Sequence, residues 1–245
     1  MNYFFMMAGK GTRLHPLTLQ QPKSLFKLDD NVTIFKRMTD LICKYDPDAH
    51  IYAVIGYMAD AIRNSIQNKK ITFVYNPFYA VTNSIASLWF AKEFITEVDS
   101  VLINGDIVMS EKTVKELLCA KPEKTSVLLD SSIKTDGDYN VEVDQDKVLV
   151  MSKQLTKYYG EYVGVIKVAK NDIGTVVAEL DKMITDGCYD QWYENLFDQL
   201  IFEKNYSLGY TDVSDYAWTE VDCVDDLIYA RKIYASDRRL EGDAQ

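Results

Sequence analysis

The stretch Met7-Ala-Gly-Lys-Gly-Thr-Arg13, followed by Pro16-Leu-Thr18 and Gln21-Pro-Lys-Ser-Leu25, decides the fold of this chain. It comes directly after the apolar run Tyr3-Phe-Phe-Met-Met7, which is typical of a buried strand, so the glycine-rich turn should lie at that strand's carboxyl end. Such a turn can present several backbone N–H groups to a polyphosphate, whose charge Arg13 and Lys23 can neutralise. The pattern predicts a nucleoside triphosphate site.

The spacing of these glycines excludes two other phosphate-binding motifs. A P-loop requires G-x-x-x-x-G-K-[S/T], but Lys10 is followed by Gly11, and the position five before Gly9 is Phe4. The dinucleotide fingerprint G-x-G-x-x-G also fails, because Leu14 stands where the third glycine should be.

Composition limits the class of protein. With 245 residues and 47% hydrophobic content, the chain can bury a large core. A net charge of −10 opposes broad contact with nucleic-acid phosphates or anionic lipid. The cysteines lack C-x-x-C spacing and no run approaches ~18 apolar residues, which argues against a zinc site, a disulfide framework and a membrane span. We expect a cytoplasmic enzyme that binds no nucleic acid, does not insert into a membrane, and acts on small molecules.

Short apolar runs alternate with helical patterns, which predicts a mostly parallel sheet covered by helices. The predicted strands are 3–7, 51–55, 71–75, 100–103, 125–129, 140–143, 147–150, 161–168 and 217–221. The predicted helices are 34–45 with Thr33 as N-cap, 58–66, 84–94, 172–185, 190–202 and 224–235. Strands 140–143 and 147–150 should form a hairpin inserted into one continuous domain, 1–236, and residues 237–245 should be a polar, frayed tail.

Asp106 and Asp222 each stand where a predicted strand ends. In open α/β sheets the ligand crevice lies outside the carboxyl ends of the strands, here near the first glycine loop. Two carboxylates at that edge could share a magnesium ion with the phosphates of a nucleotide. For any single aspartate, a role as helix cap or turn former is the commoner alternative.

The order of these residues resembles the signature of the bacterial nucleotidyltransferases. G-x-G-T-R, P-L-T and P-K occur in that order from Ala8 to Lys23, followed by Gly105-Asp106 and the late pair Glu220-Val-Asp222. The resemblance implies a Rossmann-like, GT-A-like fold. It also implies that Arg13, Lys23, Asp106 and Asp222 are catalytic, with Asp106 and Asp222 holding Mg²⁺.

Two further segments resemble the bacterial phosphocholine and phosphonate cytidylyltransferases: residues 76–88 and Glu161-Tyr-Val-Gly-Val165. This implies CTP as the nucleotide. The expected nucleotide contacts come from the glycine loop and from the loop after the third strand: Ala8, Gly9, Gly11, Thr12, Asn76, Tyr79, Thr82, Asn83 and Ser87. Met7 and Ser84 depart from the family pattern, so direct contacts are not assumed there.

The segment Asp190-Gln-Trp-Tyr-Glu-Asn195 resembles the acidic, aromatic part of phosphocholine cytidylyltransferases that encloses a quaternary ammonium. Aromatic faces attract a desolvated cation, and a nearby carboxylate adds to that attraction. The expected acceptor-binding residues are Tyr139, Glu161, Asp190, Trp192, Tyr193 and Glu194. A core position for Trp192 stays open. The region near Tyr139 lacks the tryptophan expected for phosphocholine, so a phosphonate or another zwitterionic phosphate stays open too.

The expected reaction is transfer of CMP from CTP to a small phosphorylated or phosphonate amino-alcohol such as phosphocholine, with release of pyrophosphate. Two alternatives are a sugar-1-phosphate uridylyl- or thymidylyltransferase and a non-catalytic nucleotide-binding subunit of the same fold. A homodimer is compatible with the sequence.

Overall fold

The computed structural model describes residues 1–133 and 139–243, and its centre is a mixed sheet. The strands are β1 Asn2–Met7, β2 His50–Ile55, β3 Ile71–Tyr75, β4 Ser100–Asn104, β5 Ile107–Met109, β6 Ser126–Asp130, β7 Asn140–Asp144, β8 Lys147–Ser152, β9 Gly160–Val168, β10 Gly209–Asp212 and β11 Trp218–Glu220. The main sheet has the order β10-β6-β9-β4-β1-β2-β3, and the hairpin β7-β8 joins it through β9. β9 is antiparallel to β4 and β6, whereas β1 is parallel to β2 and β4. The predicted α/β fold with a hairpin insertion is confirmed.

Helices cover both faces of this sheet. They are α1 Ile34–Tyr45, α2 Ala59–Ser65, α3 Ser84–Phe90, α4 Glu111–Thr113 continued by the π-helical turn Val114–Leu118, α5 Ile173–Thr185, α6 Asn195–Lys204 and α7 Val224–Asp243. Because side chains alternate along a strand, Phe4 of β1 packs with α3, α5 and α6, while Tyr3 and Phe5 pack with α1 and α2. No helix in the described part of the chain is both long and apolar enough to cross a membrane.

The strand order reverses at β1, between β2 and β4, and this is the point where open α/β sheets bind ligands. β1 runs straight into the glycine loop. β4 is followed by Gly105, whose N–H donates to the Met6 carbonyl at 3.0 Å. A Cβ on Gly105 would lie 2.3 Å from the Met7 side chain, so only glycine lets the chain pass this close to β1. Asp106 is thereby held beside the glycine loop.

A second, two-stranded sheet brings the end of the chain to the same place. β11 pairs antiparallel with β5, Glu220 opposite Ile107, and the Val221 N–H donates to the Asp106 carbonyl at 3.1 Å. α7 then packs through Ala230, Ile233 and Tyr234 in a cluster that includes Leu14 of the glycine loop segment. Asp222 therefore lies next to Asp106 at the carboxyl edge of the main sheet.

The predicted start of the helix 190–202 is wrong, because α6 begins only at Asn195. Residues 189–193 instead form turns that bind the N-terminus of α3. The N–H groups of Asn83 and Ile85 donate to the carbonyls of Tyr189 and Gln191, and the Tyr193 N–H donates to Ser84 Oγ at 2.9 Å. These tertiary hydrogen bonds replace the helical ones.

Other boundaries also differ from the predictions. β5 and β10 were not predicted, because both are short and Gly209-Tyr-Thr-Asp212 has no apolar run. The final strand is limited to Trp218–Glu220. The tail predicted to be frayed from 237 onward is helical as far as Asp243. Asp237 is buried there: its Oδ2 accepts from Arg37 Nη2 at 2.7 Å and from the Glu111 N–H at 2.9 Å.

The Asp237→Ala variant should lower the free energy of unfolding by about 3 kcal/mol, because it leaves the largely buried Arg37 guanidinium without its carboxylate. Urea denaturation measures this. Asp60→Ala is the matched control: it removes the partner of Arg63 from an exposed ion pair and should change stability little. Equal midpoints for Asp237→Ala and the parent protein would contradict the assigned docking of α7.

Candidate active site

The main cavity lies at the carboxyl ends of β1 and β4 and has a volume of about 250 Å³. It extends from the glycine loop to the turn segment that precedes α6. Its lining comprises Met6, Ala8, Gly9, Arg13, Tyr79, Thr82, Asn83, Ser84, Ser87, Asn104, Asp106, Tyr139, Lys153, Tyr162, Trp192, Glu194 and Glu220. A neighbouring cavity of about 180 Å³ also reaches Asp106 and is lined by Gly11 and Lys23.

The predicted cations and aspartates meet in one charged cluster. Lys23 Nζ donates to Asp106 Oδ2 at 2.9 Å and also bonds Asp222 Oδ1, while Arg13 Nη1 lies 2.7 Å from Asp222 Oδ2. Burial alone would lower the pKa of Lys23, but the two carboxylates outweigh it and raise the pKa above its ordinary value. Lys23 therefore stays charged, and its ammonium joins the aspartates that follow β4 and β11.

Glu220 is a third carboxylate beside this pair. The sequence pattern identified it as part of the E-x-D pair but did not predict it as a site residue. Burial, followed by the charges of Asp106 and Asp222, raises the pKa of Glu220 well above its usual range. The Asn104 side-chain amide donates to Glu220 Oε1 at 3.3 Å. Asn104 in turn accepts from the Tyr193 hydroxyl at 3.0 Å, so a chain of hydrogen bonds links the half-buried Glu220 to the buried Tyr193.

The glycine loop depends on Gly11. Its φ of +62° is a left-handed conformation, and a Cβ there would lie 3.0 Å from the Lys23 side chain. The Thr18 hydroxyl donates to the Gly11 carbonyl at 2.9 Å and fixes the turn. Ala8 and Gly9 line the main cavity, and their contact with a nucleotide stays a prediction. Thr12 begins a 3₁₀ turn and is not among the cavity-lining residues.

The loop after β3 and the start of α3 contribute much of the cavity wall. Tyr79, Thr82, Asn83 and Ser87 line the cavity. Asn76 does not: it is fully buried, and its amide donates to Thr82 Oγ1 at 3.2 Å and to Ser87 Oγ at 3.0 Å. The expectation that Asn76 contacts the base is corrected, since it instead positions two side chains that line the cavity.

Aromatic side chains form the far end of the cavity. Trp192 is 37% exposed and packs edge-to-face on Tyr139, with ring centroids 5.7 Å apart, so the core alternative for Trp192 is wrong. Tyr139 packs in the same way on Tyr162, with centroids 5.8 Å apart. Lys153 Nζ lies 4.6 Å from the centroid of the Trp192 ring. Trp192, Tyr139 and Tyr162 thus form an aromatic wall with a cation at its edge.

Glu194 supplies the carboxylate at this end. It lines the cavity and is only 6% exposed. Burial raises the pKa of Glu194 to about 7, although Tyr193 and Lys153 act in the opposite direction. Asp198 of α6, close to the hairpin, accepts from the Met151 N–H at 2.9 Å, and burial raises its pKa to about 7. Two acids near the aromatic end of the cavity therefore have pKa values raised to about 7.

Three predicted acceptor residues do not line the main cavity. Glu161 is absent from its lining, and the next residue on β9, Tyr162, lines it, because successive strand residues face opposite sides. Tyr193 is buried behind the wall, where its hydroxyl lies 2.9 Å from that of Tyr162. Asp190 lines an adjoining cavity of about 700 Å³ and accepts from the Gln191 side chain.

The two aspartates fit a magnesium ion by their chemistry. No group of three or more His, Cys, Asp or Glu side chains in residues 1–133 and 139–243 could hold a metal by itself. Asp106 Oδ2 and Asp222 Oδ1 nevertheless converge on one point, the Lys23 ammonium. Magnesium is commonly held by one or two carboxylates together with phosphate oxygens and waters. The pair is suited to that ion in the presence of a triphosphate, and magnesium stays a prediction.

The residues that sequence reasoning missed carried weak local signals. Lys153 follows a hairpin strand and has other exposed lysines near it in the sequence. Ser84 departs from the family pattern, which gave no reason to expect it in the site. Tyr162 and Asn104 lie on strands that consist mostly of buried residues. The one usable signal was position: Asn104 precedes Gly105-Asp106 at the end of β4, and Glu220 precedes Asp222.

The chain is similar in sequence to known proteins along most of its length. It is 26% identical over 250 residues to the CTP:phosphoglutamine cytidylyltransferase of Campylobacter jejuni, covering 93% of this chain and 98% of the relative. It is 25% identical over 233 residues to the CMP-5'-(3-aminopropyl)phosphonate synthase of Streptomyces rubellomurinus, covering 89% of this chain but 36% of that relative.

Solved structures show the same fold. The CTP:phosphocholine cytidylyltransferase of Streptococcus pneumoniae superposes with a TM-score of 0.77 at 19% identity, covering 95% of this chain and 98% of the other. The inositol-1-phosphate CTP transferase of T. maritima superposes with a TM-score of 0.72 at 15% identity, covering 95% of both chains. The sequence itself matches the Nucleotidyl transferase family over residues 4–138. Since that match covers more than half of the sequence, this chain belongs to the nucleotidyl transferase family.

Proposed function

We propose that this protein is a cytidylyltransferase that transfers CMP from CTP to the phosphate or phosphonate group of a small amino-bearing acceptor and releases pyrophosphate. One observation carries the proposal: a single cavity joins the cluster of Arg13 and Asp106 to the aromatic wall and the buried carboxylate of Glu194. The relatives named for CTP, phosphoglutamine and an aminopropylphosphonate support this choice.

The triphosphate would bind at the glycine loop. The backbone N–H groups of residues 9–12 are preorganised donors, and they do not need to reorient when charge develops. Arg13 would hold the outgoing β- and γ-phosphates. Lys23 would reach the α-phosphate or the phosphate of the acceptor, since its ammonium is already held beside Asp106. Asp106 and Asp222 would hold magnesium, which when bound neutralises phosphate charge.

The acceptor oxygen would attack the α-phosphorus in line as pyrophosphate leaves. A phosphate monoester has a second pKa of about 6 and is mostly dianionic near neutral pH, so no strong general base is required. The residues of the cavity act by positioning the two phosphates and by neutralising their charge. The pyrimidine would lie against the loop after β3, where Thr82, Asn83 and Ser87 offer hydrogen-bonding groups.

The acceptor end favours an amine over a sugar. Glu194 is buried beside aromatic rings, an arrangement that attracts an ammonium group. A pyrophosphate-release assay tests the proposal with CTP, UTP, dTTP and ATP, each combined with amino-alcohol phosphates, aminoalkyl phosphonates and sugar 1-phosphates. The expected result is turnover with CTP and an amine-bearing acceptor. Preference for UTP or dTTP with a sugar phosphate would favour the alternative enzyme, and no turnover at all would favour a non-catalytic subunit.

Lys23→Ala and Asp106→Ala should each lower the rate of pyrophosphate release by about 10² or more, on the scale of removing one transition-state contact. Lys27→Ala is the matched control, because Lys27 lies four residues away and is exposed. Melting temperatures of all three variants separate misfolding from lost chemistry. Near-parental turnover by a folded Lys23→Ala protein would show that the phosphate-binding groups are wrongly assigned.

Acceptor binding should tighten as pH rises through about 7, because the Glu194 carboxyl must ionise to attract an ammonium group. The groups that share its surroundings are Lys153, Asp198 and the hydroxyls of Tyr139, Tyr162 and Tyr193. The measurement is the KM of the acceptor from pH 5.5 to 8.5 at saturating CTP, a range of about one and a half units on either side of that pKa.

Glu194→Gln should raise this KM, and the ratio of the variant's KM to that of the parent protein should increase as pH rises through about 7. Ionisation of the acceptor phosphate also falls in this range, but it is common to both proteins and cancels in their ratio. Asp198→Asn distinguishes the second acid that titrates near 7. If the ratio of variant to parent KM does not change with pH for Glu194→Gln but does change for Asp198→Asn, the pH dependence belongs to Asp198.

A further inference from the structure

The main cavity and the larger cavity beside it meet at the acceptor end. They share Asn83, Tyr139, Lys153 and Trp192. Arg13, Asp106 and Gly9 line the main cavity and not the larger one. Lys153 therefore lies at the end away from the glycine loop, where the part of the acceptor remote from its phosphate would bind.

Lys153 places a positive charge beside the aromatic side chains, in a cavity that Asp190 and Asp198 also line. It follows β8 directly, and its Nζ lies 4.6 Å from the Trp192 ring centroid. Among the described residues it is the only Lys or Arg that lines the larger cavity. An acceptor whose remote end is purely cationic would have to bring a second positive charge against the same ring.

Glu194 and Tyr162 offer acceptors for N–H donors in the same cavity. The Tyr193 hydroxyl donates to Asn104 Oδ1, so the Tyr162 hydroxyl donates to the Tyr193 oxygen, and the Tyr162 oxygen keeps lone pairs for a ligand. A trimethylammonium group has no N–H to donate to Glu194 or Tyr162, whereas a primary ammonium has three. The acceptor end is thus suited to a primary ammonium at Glu194 and an anion at Lys153.

We infer that the acceptor is a phosphorylated or phosphonate amino acid, a zwitterion whose ammonium binds Glu194 and Tyr162 and whose carboxylate binds Lys153 beside Trp192. This inference rests on the proposed cytidylyl transfer and specifies its substrate class. Lys153 is a specificity residue: it recognises the carboxylate and takes no part at the α-phosphorus.

The test uses the full chain with CTP and Mg²⁺ and two matched pairs of acceptors that differ only by a carboxylate. The pairs are O-phosphoserine with O-phosphoethanolamine, and O-phosphohomoserine with 3-aminopropyl phosphate. Phosphocholine is added as the quaternary ammonium probe. In at least one pair, the carboxylate-bearing member should have a kcat/KM about ten- to a hundredfold higher, the range expected for a hydrogen bond to a charged group.

Lys153→Met should abolish that preference mainly by raising the KM of the carboxylate-bearing member, with little change for its partner, and Lys153→Arg should restore most of it. Lys147→Met at the exposed start of the same strand is the matched control and should leave both members unchanged. An equal loss for both members would show that Lys153 binds the acceptor phosphate, and a preference for phosphocholine that grows in Lys153→Met would show that Lys153 obstructs an ammonium site. Either result overturns the inference.

Binding of CTP, measured by calorimetry, keeps this test separate from that of the proposed function. A protein that neither binds nor turns over CTP contradicts the cytidylyltransferase itself and the inference with it. If CTP binds but no acceptor reacts, binding of O-phosphoserine and O-phosphoethanolamine to the CTP-loaded protein decides. Equal affinity for the two would overturn the inference, and tighter binding of O-phosphoserine that is lost in Lys153→Met would support it.

Discussion

The contact of the Lys23 ammonium with Asp106 and Asp222 is the interaction on which the rest of the structure depends. It joins the glycine loop after β1 to the ends of β4 and β11. Two carboxylates this close repel each other unless a cation lies between them, and Lys23, largely buried, supplies it. The proposed nucleotide would fit this arrangement: its phosphates would pair with Lys23, and a divalent ion would pair with the two carboxylates.

A hydrogen-bonded path connects the two ends of the cavity. Tyr162 bonds Tyr193, Tyr193 bonds Asn104, and the Asn104 amide bonds Glu220 beside the two aspartates. Because Tyr162 and Tyr193 are buried and each group on the path has a partner, the aromatic wall is held in a defined position relative to the charged cluster. Transfer between two bound phosphates needs such a fixed separation.

Much of the fold could be predicted because its strands are apolar runs with clear ends. β1, β2, β3 and β4 were recognised in this way, and Thr33 was correctly predicted to cap α1, where its Oγ1 accepts from the Lys36 N–H. The errors came where tertiary contacts replace local ones. The turn segment before α6 has a helical pattern, yet its backbone pairs with the start of α3. Asn76 directly follows a strand, a position typical of ligand-binding residues, yet its side chain is buried and bonds Thr82 and Ser87.

The sequence by itself determined which charged residues gather at the glycine loop, because the loop, its two cations and the carboxylates after strands are local patterns with fixed spacing. Only the tertiary structure decided how β5 and β11 bring Asp222 to Asp106, and which residues of the hairpin and the turn segment line the aromatic end of the cavity. Short strands and exposed lysines such as Lys153 carry no periodic signal. Their partners lie far away in the chain, so their roles follow from packing alone.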